Sequence, residues 1–171
     1  MKKTVSWSAG VDQLRQTLAG DGAFLVACDK NGRGNPMTIG WGEVGFIWGR
    51  PVFTVLVRRS RYTYGALLFA DTFTVNIPTP GRLNKELLFC GTKSGRDLDK
   101  AASCGIALVE GKRVETPIIA DCSLHYECRI ILRKQLDGED FSAPEILERY
   151  YADDDHHMLV IGEILASYAD Q

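Results

Sequence analysis

Residues 51–78, PVFTVLVRRSRYTYGALLFADTFTVNIP, decide how this chain folds, because they contain two strand patterns and one helix pattern around a cationic turn. Residues 52–57 are β-branched and apolar and predict a strand. Residues 64–70 have apolar spacing that suits a helix, and residues 73–77 alternate as a second strand. The segment therefore predicts a strand, a basic turn, a short helix and a strand in succession.

The turn between the first strand and the helix has the composition of an anion site. It carries three arginines and three hydroxyl side chains: Arg58, Arg59, Ser60, Arg61, Tyr62 and Thr63. The free N–H groups and positive dipole end of a helix attract phosphate, and arginine adds charge-assisted hydrogen bonds. Arg61 is nearest the predicted helix start and is favoured as the ligand, whereas Arg58 is expected to face solvent. A solvated basic loop is the alternative.

Motifs on both sides of this segment extend the pattern. They are NPMTIGW at 35–41, IWGRP at 47–51, CGTKSGRDLDK at 90–100, LHYEC at 124–128 and HMLVIGEI at 157–164. Together they resemble the flavin reductase-like family, the FMN-binding split barrels that include the flavoredoxins. Several spaced motifs in the right order are more specific than any single one.

The resemblance implies a mainly β protein, a Greek-key antiparallel split β-barrel with a few short peripheral helices, in one domain over residues 1–171. Many predicted strands, short turns and few long helices agree with such a barrel. The resemblance also implies FMN as cofactor, NADH or NADPH as electron donor, and a homodimer. A redox protein partner is a further expectation if the chain is a flavoredoxin-like electron carrier.

The same resemblance assigns site residues. The isoalloxazine and ribityl groups would lie against residues of the first motif: Asn35, Met37, Thr38, Ile39 and Trp41. The phosphate would be held by Ser60, Arg61, Tyr62 and Thr63. Lys100 is similar to a family lysine beside the flavin, where a cation would favour the anionic reduced ring. The family places a histidine near the flavin or nicotinamide; His157 is ranked first, as the catalytic residue, and His125 second, as a flavin-binding one.

The chain lacks recognisable acid–base machinery of its own. No Ser/His/Asp set, paired carboxylates or HExxH motif occurs at a familiar spacing, so a cofactor must supply the chemistry. The predicted activity is hydride transfer from NAD(P)H to flavin, or onward electron transfer. A pyridoxamine-phosphate-oxidase-like flavoenzyme is one alternative, although it needs basic residues for a second phosphate. A cofactor-free binding or scaffold module is the other.

Composition excludes some classes of function. With 171 residues the chain is long enough for one core without disulfide or metal staples. A net charge of -2 argues against a general nucleic-acid binder, and no apolar run is long enough to span a membrane. Five cysteines without a CxxC pair favour a reducing compartment, so a cytoplasmic protein is expected.

The last third of the chain contains a long alternating strand pattern over residues 122–132. Its apolar face includes Cys122 and Cys128, which are predicted to be core residues and not metal ligands. Its opposite face is polar and includes His125 and Glu127. No metal site is expected.

The run GWGEVG at 40–45 matches the GxGxxG dinucleotide pattern, but that fingerprint needs a helix after its last glycine. Aromatic and β-branched residues and Pro51 follow instead, so a Rossmann site is rejected. Elsewhere, helices are predicted over 11–19, 83–89, 98–103 and 144–151, and strands over 23–28, 37–41, 46–48 and 158–168.

Overall fold

The computed structural model of the protein describes residues 2–170. Its elements in chain order are β1 (Lys3–Thr4), α1 (Val11–Ala19), β2 (Ala23–Cys28), β3 (Gly34–Ile39), β4 (Gly42–Ile47), β5 (Arg50–Arg58), α2 (Tyr62–Phe69), β6 (Thr72–Ile77), α3 (Asn84–Thr92), α4 (Lys100–Cys104), β7 (Leu108–Val109), β8 (Ile118–Ile119), β9 (Leu124–Gln135), α5 (Pro144–Tyr150) and β10 (His157–Ala169). A 3-10 turn at Gly138–Asp140 precedes α5. Within this range no helix is long and apolar enough to cross a membrane.

One antiparallel sheet dominates the molecule. Its strands follow the order β3-β2-β6-β9-β10-β5-β4, with β1 paired to β10, while β7 and β8 form a separate two-stranded ribbon. The sheet curls until β3 lies beside β5 without pairing with it, which leaves an open seam between the two strands. The predicted fold, a mainly β split barrel with short peripheral helices, is confirmed.

Two apolar clusters fix the shape of the barrel. The interior is filled from all sides by fully buried side chains such as Leu25, Phe53 and Tyr126, and the last two rings meet edge to face with centroids 5.3 Å apart. Each such burial contributes about 1.5–3 kcal/mol. A smaller cluster around Phe24 and Leu87 packs α3 and α4 against the outer face of β2. This second cluster holds the two helices beside the seam.

The segment 46–48 was predicted as a strand, but the strand ends one residue earlier. β4 ends at Ile47, which pairs with Arg50, and the two residues between them form the hairpin turn. Trp48 and Gly49 have φ values of 53° and 72°, the positive angles that a type I′ turn requires at both positions. The GWGEVG run therefore enters a strand and opens no helix, in agreement with the rejection of a Rossmann site.

The polar face of β9 is buried at the start of the strand. His125 and Glu127 have no exposed surface, and residues of the segment between α4 and β9 contact both of them. The Glu127 carboxylate accepts three backbone N–H bonds and one hydroxyl bond, from Lys112, Arg113, Val114 and Tyr168 at 2.6 to 2.8 Å. This carboxylate therefore ties the loop before β8 to the barrel.

Replacing Glu127 with glutamine tests this anchor. The amide would direct N–H groups at backbone donors, so we expect the free energy of unfolding to fall by about 2–4 kcal/mol. Urea denaturation followed by tryptophan fluorescence measures it. Glu148→Gln, at an exposed position of α5, is the control and should change it by less than about 0.5 kcal/mol. Equal stabilities of the two variants would show that Glu127 anchors nothing.

Candidate functional site

Two adjoining clefts lie at the barrel seam. The first, called the basic cleft, is lined by Met37, Ser60, Arg61, Tyr62, Thr63, Cys90, Thr92, Lys93, Ser94, Gly95, Arg96 and Lys100. The second, called the aromatic cleft, is lined by Met37, Thr38, Ile39, Gly40, Trp41, Leu56, Arg58, Arg61, Tyr150 and His157. Met37 and Arg61 line both, so the two clefts adjoin at these side chains. The seam thus brings together most of the residues that the sequence singled out.

The basic cleft is built around the start of α2. This helix begins at Tyr62, two residues before the predicted start, so Arg61 is its N-cap residue. No side chain caps the helix, which leaves its first backbone N–H groups available to a ligand. The Arg61 guanidinium donates to the Gly91 carbonyl at 3.1 Å and thereby links α2 to α3. The predicted anion site at this turn has the expected chain geometry.

Thr63 lies in the first turn of α2 and is almost fully buried. Its hydroxyl oxygen accepts a hydrogen bond of 2.9 Å from the Asn35 side-chain amide, so the hydroxyl hydrogen remains available as a donor. Asn35 itself lines neither cleft. The Asn35 side chain therefore orients Thr63, whereas the family resemblance implied that this residue lies against the isoalloxazine or ribityl group.

Two other predicted phosphate ligands are already engaged by carboxylates. Ser60 donates its backbone N–H and its hydroxyl to Asp155 at 3.0 and 2.6 Å. The Tyr62 hydroxyl donates to Asp29 at 3.0 Å. Both residues border the basic cleft, but their side-chain donors point to protein partners. Of the four predicted phosphate ligands, Arg61 and Thr63 are therefore the two whose side chains can still donate to a ligand.

Lys100 lies in the basic cleft, whereas Trp41 and His157 line the aromatic cleft. Only 3% of the residue is exposed, and its ammonium donates to the Cys90 carbonyl at 3.1 Å. Burial, and to a smaller extent the charge of Arg61, lowers the pKa of Lys100. No carboxylate lines this cleft in the described part of the chain. A buried ammonium with a single acceptor fits a cleft that receives an anion.

The loop that follows α3 supplies residues that sequence reasoning missed. Lys93 and Arg96 border the basic cleft, and both belong to the CGTKSGRDLDK motif, of which only Lys100 was assigned a role. Gly95 permits the close approach of this loop. A Cβ atom there would collide with the Asn35 side-chain oxygen and lie 2.6 Å from the Tyr62 ring. The positive charges of Lys93 and Arg96 in that motif were the sequence signal from which these two site residues could have been predicted.

Aromatic rings form the wall of the second cleft. Trp41 is 42% exposed, and its ring centroid lies 5.0 Å from that of Tyr150 and 5.2 Å from that of His157. The Thr38 hydroxyl donates to the Leu87 carbonyl at 2.6 Å, which fixes β3 against α3. The outer edge of β3 has no strand partner within residues 2–170. Tyr150 was not predicted, because it lies outside every motif.

Arg58 does not face solvent, which corrects the sequence prediction. Its guanidinium donates to the carbonyl oxygens of Asp155 and Tyr150 at 2.9 and 2.7 Å and forms an ion pair of 3.6 Å with Asp153. Arg58 ends β5 on the same face as Leu56, and both border the aromatic cleft. Arg58 thus holds the end of α5 and the loop that follows it against the barrel.

The two predicted histidines lie in different places. His157 opens β10 opposite Arg58 and borders the aromatic cleft, and burial with the nearby guanidinium lowers its pKa to about 4. His125 borders neither cleft. Its ring nitrogens contact Asn76 Oδ1 at 2.8 Å and the Cys122 carbonyl at 2.9 Å, and burial lowers its pKa to about 3. The proposed flavin contact of His125 is therefore not supported by its position.

Comparison with known proteins agrees with the split-barrel fold. The pattern of the flavin reductase like domain matches residues 19–171. An uncharacterized protein of Archaeoglobus fulgidus is 30% identical over 119 residues, which are 70% of this chain and 66% of that protein. The chain belongs to the flavin reductase-like family.

Solved structures share the fold. The flavoredoxin of Methanosarcina acetivorans is 28% identical, with a TM-score of 0.67, over 87% of this chain and 68% of that one. An FMN-binding domain of a flavin reductases-like enzyme from Shewanella baltica OS155 has a TM-score of 0.69 at 22% identity, over 99% of this chain and 78% of the other. The second similarity concerns the fold alone.

The low pKa of His157 predicts acid sensitivity. It lies at about 4, against 6.5 for an unperturbed imidazole, so the unfolded chain binds the extra proton. The free energy of unfolding should be highest above pH 6.5 and fall between pH 6.5 and 5 with a slope that approaches one proton.

Denaturation curves at several pH values measure this slope. His157→Gln should reduce it by about one proton. A wild-type stability that does not change between pH 6.5 and 5 would contradict the buried neutral state of His157.

Proposed function

We propose that this protein binds FMN at the seam, with the phosphate in the basic cleft and the ring system in the aromatic cleft, and acts as an NAD(P)H-dependent flavin reductase-like oxidoreductase. One observation carries the proposal. The buried ammonium of Lys100 and the guanidinium of Arg61 lie in a cleft lined by no carboxylate within residues 2–170, and that cleft adjoins a wall of aromatic rings.

The basic cleft suits a phosphate monoester. Arg61, Lys93, Arg96 and Lys100 place positive charge around it, and the uncapped start of α2 adds backbone donors. Arg96 also donates to the Ser60 carbonyl at 3.0 Å, which holds the loop after α3 against the turn before α2. A dianion here would neutralise charges that have no carboxylate partner in the cleft.

The aromatic cleft suits a flat, largely apolar group with a polar edge. Met37, Leu56 and Trp41 offer apolar surface, and the unpaired edge of β3 offers backbone hydrogen-bonding groups. Trp41 is partly exposed, so the cleft remains accessible to the nicotinamide of NADH or NADPH. The printed names of the similar structures, FMN-binding domain and flavoredoxin, support the same ligand.

Bound FMN would supply hydride and electron transfer chemistry. The chain would contribute binding, orientation and a hydrogen bond. Arg61, Lys100 and Thr63 hold the phosphate, while Met37 and Trp41 orient the ring system so that proximity provides most of the rate. His157 is neutral at pH 7 because of its low pKa, so it acts by hydrogen bonding and not by giving up a proton.

An electron carrier of the flavoredoxin type is the second candidate, favoured by the 28% identity with the Methanosarcina protein. The same cleft would serve it, with a redox protein in place of the nicotinamide. A homodimer is proposed for both. Phe46 and Trp48 of the β4–β5 hairpin are each 62% exposed and offer apolar surface for it. We further propose a cytoplasmic location, on the cysteine usage alone.

Comparing FMN with riboflavin tests whether the phosphate lies in the basic cleft and the ring system in the aromatic cleft. Lys100→Met should weaken FMN binding by about 1–3 kcal/mol and leave riboflavin binding unchanged, because riboflavin has no phosphate. Arg61 lines both clefts, so Arg61→Gln should weaken FMN binding more than riboflavin binding. Flavin fluorescence quenching measures both affinities.

The matched control is Arg59→Gln, from the same turn. Arg59 pairs with Asp137 at 2.7 Å outside both clefts, so its replacement should leave FMN affinity unchanged. Equal loss of FMN and riboflavin affinity in the Lys100 variant would contradict a phosphate in the basic cleft. A colourless protein that fails to take up FMN would leave a cofactor-free scaffold.

Stopped-flow mixing of the FMN-loaded protein with NADH or NADPH separates reductase from carrier. A reductase should bleach the flavin absorbance rapidly with at least one donor. His157→Ala should slow that step about tenfold, the value of one neutral hydrogen bond, while FMN stays bound. An unchanged rate would show that His157 takes no part.

A further inference from the structure

The side chain beside His157 is the phenol of Tyr151, which no motif singled out. The Tyr151 hydroxyl and the Nδ1 atom of His157 are 2.8 Å apart, and both residues are only 7% exposed. The His156 ring stacks on Tyr151 with centroids 4.8 Å apart, and the Arg58 guanidinium lies 5.4 Å from the Tyr151 ring centre. The phenol is thus fixed by packing on several sides.

The direction of this hydrogen bond follows from the available partners. Within residues 2–170 the Tyr151 hydroxyl has no other hydrogen-bond partner. If Nδ1 carried the hydrogen, the phenolic hydrogen would be left without an acceptor in a buried position, which is unfavourable. The phenol therefore donates to Nδ1, and the single hydrogen of the neutral ring lies on Nε2.

Charges around the ring favour this neutral state. Arg58 from β5 and Arg61 from the turn before α2 disfavour the imidazolium, as does His156, while Asp155 favours it. Burial is the largest influence, and the pKa of His157 falls to about 4. The Nε2 atom has no protein partner in the described range, and the residue borders the aromatic cleft.

We infer that Tyr151 is a positioning residue that holds His157 in the Nε2–H tautomer, so that the aromatic cleft presents a fixed, neutral hydrogen-bond donor. The group it recognises is an acceptor on the ligand in that cleft, such as a carbonyl oxygen or a ring nitrogen. The claim that His157 donates to a ligand rests on the proposed function. The claim that Tyr151 fixes the tautomer of His157 is independent of it.

Long-range ¹H–¹⁵N correlation spectra of the full-length ¹⁵N-labelled protein test the inference directly. The chain has three histidines, and His125→Gln and His157→Gln assign their signals. At pH 7, His157 should show a protonated Nε2 and an unprotonated Nδ1, with and without FMN. A protonated Nδ1 in the wild-type protein would overturn the inference, whether or not any variant folds.

Two tyrosine variants separate positioning from packing. Tyr151→Phe keeps the ring but loses the donor, so His157 should shift to the Nδ1–H form or to a mixture of both. Tyr150→Phe, from the same cleft, should leave the tautomer unchanged, because the phenol that contacts His157 belongs to Tyr151, whereas Tyr150 is bonded through its backbone carbonyl. An unchanged tautomer in Tyr151→Phe would overturn the inference.

The reduction rate provides a second readout. With the tautomer fixed, the wild-type rate should show no step near pH 6.5, and Tyr151→Phe should slow reduction several-fold at FMN concentrations that saturate both proteins. An unaltered rate in that variant would show that the tautomer has no role in the cleft. Failure to bind FMN would refute the proposed function and leave the tautomer measurement valid, so the two failures are distinguishable.

Discussion

The buried positive charge of Lys100 is the constraint on which the seam of this barrel depends. Its ammonium has one carbonyl acceptor and lies near Arg61, and no carboxylate lines the cleft within residues 2–170. Burying such a charge costs free energy unless an opposite charge compensates it. A separate apolar cluster packs α3 and α4, which bury this ammonium, against β2. The free energy gained by that packing offsets the cost of burying the charge. A bound dianion would remove that cost and link folding stability to ligand binding.

The end of β5 organises both clefts. Leu56 and Arg58 point to the aromatic cleft, and three residues later Arg61 lies between the two clefts at the start of α2. Arg58 is committed to the backbone after α5, so its charge is largely used for structure. The three neighbouring arginines therefore differ in their contacts: Arg58 anchors a loop, Arg59 pairs with Asp137 at the surface, and Arg61 lines both clefts.

Local pattern was enough to predict most of the barrel strands and the basic turn before α2. The bounds of α1 and β2 were predicted as observed, because amphipathic spacing and a continuous apolar run are local signals. Arg58 was misplaced because the turn begins directly after it. The burial of His125, and the pairing of Tyr151 with His157, arise from segments that only the folded chain brings together. Sequence spacing contains no signal for such contacts.

The ³¹P spectrum of FMN bound to the protein tests the central claim most directly. The second pKa of a free phosphate monoester is about 6, and cations that hold the phosphate favour its dianion. The account predicts one bound resonance that keeps the dianion position at pH 5.5, where free FMN has largely become the monoanion. A bound resonance that titrates near pH 6 like the free nucleotide would contradict a phosphate held by Arg61 and Lys100.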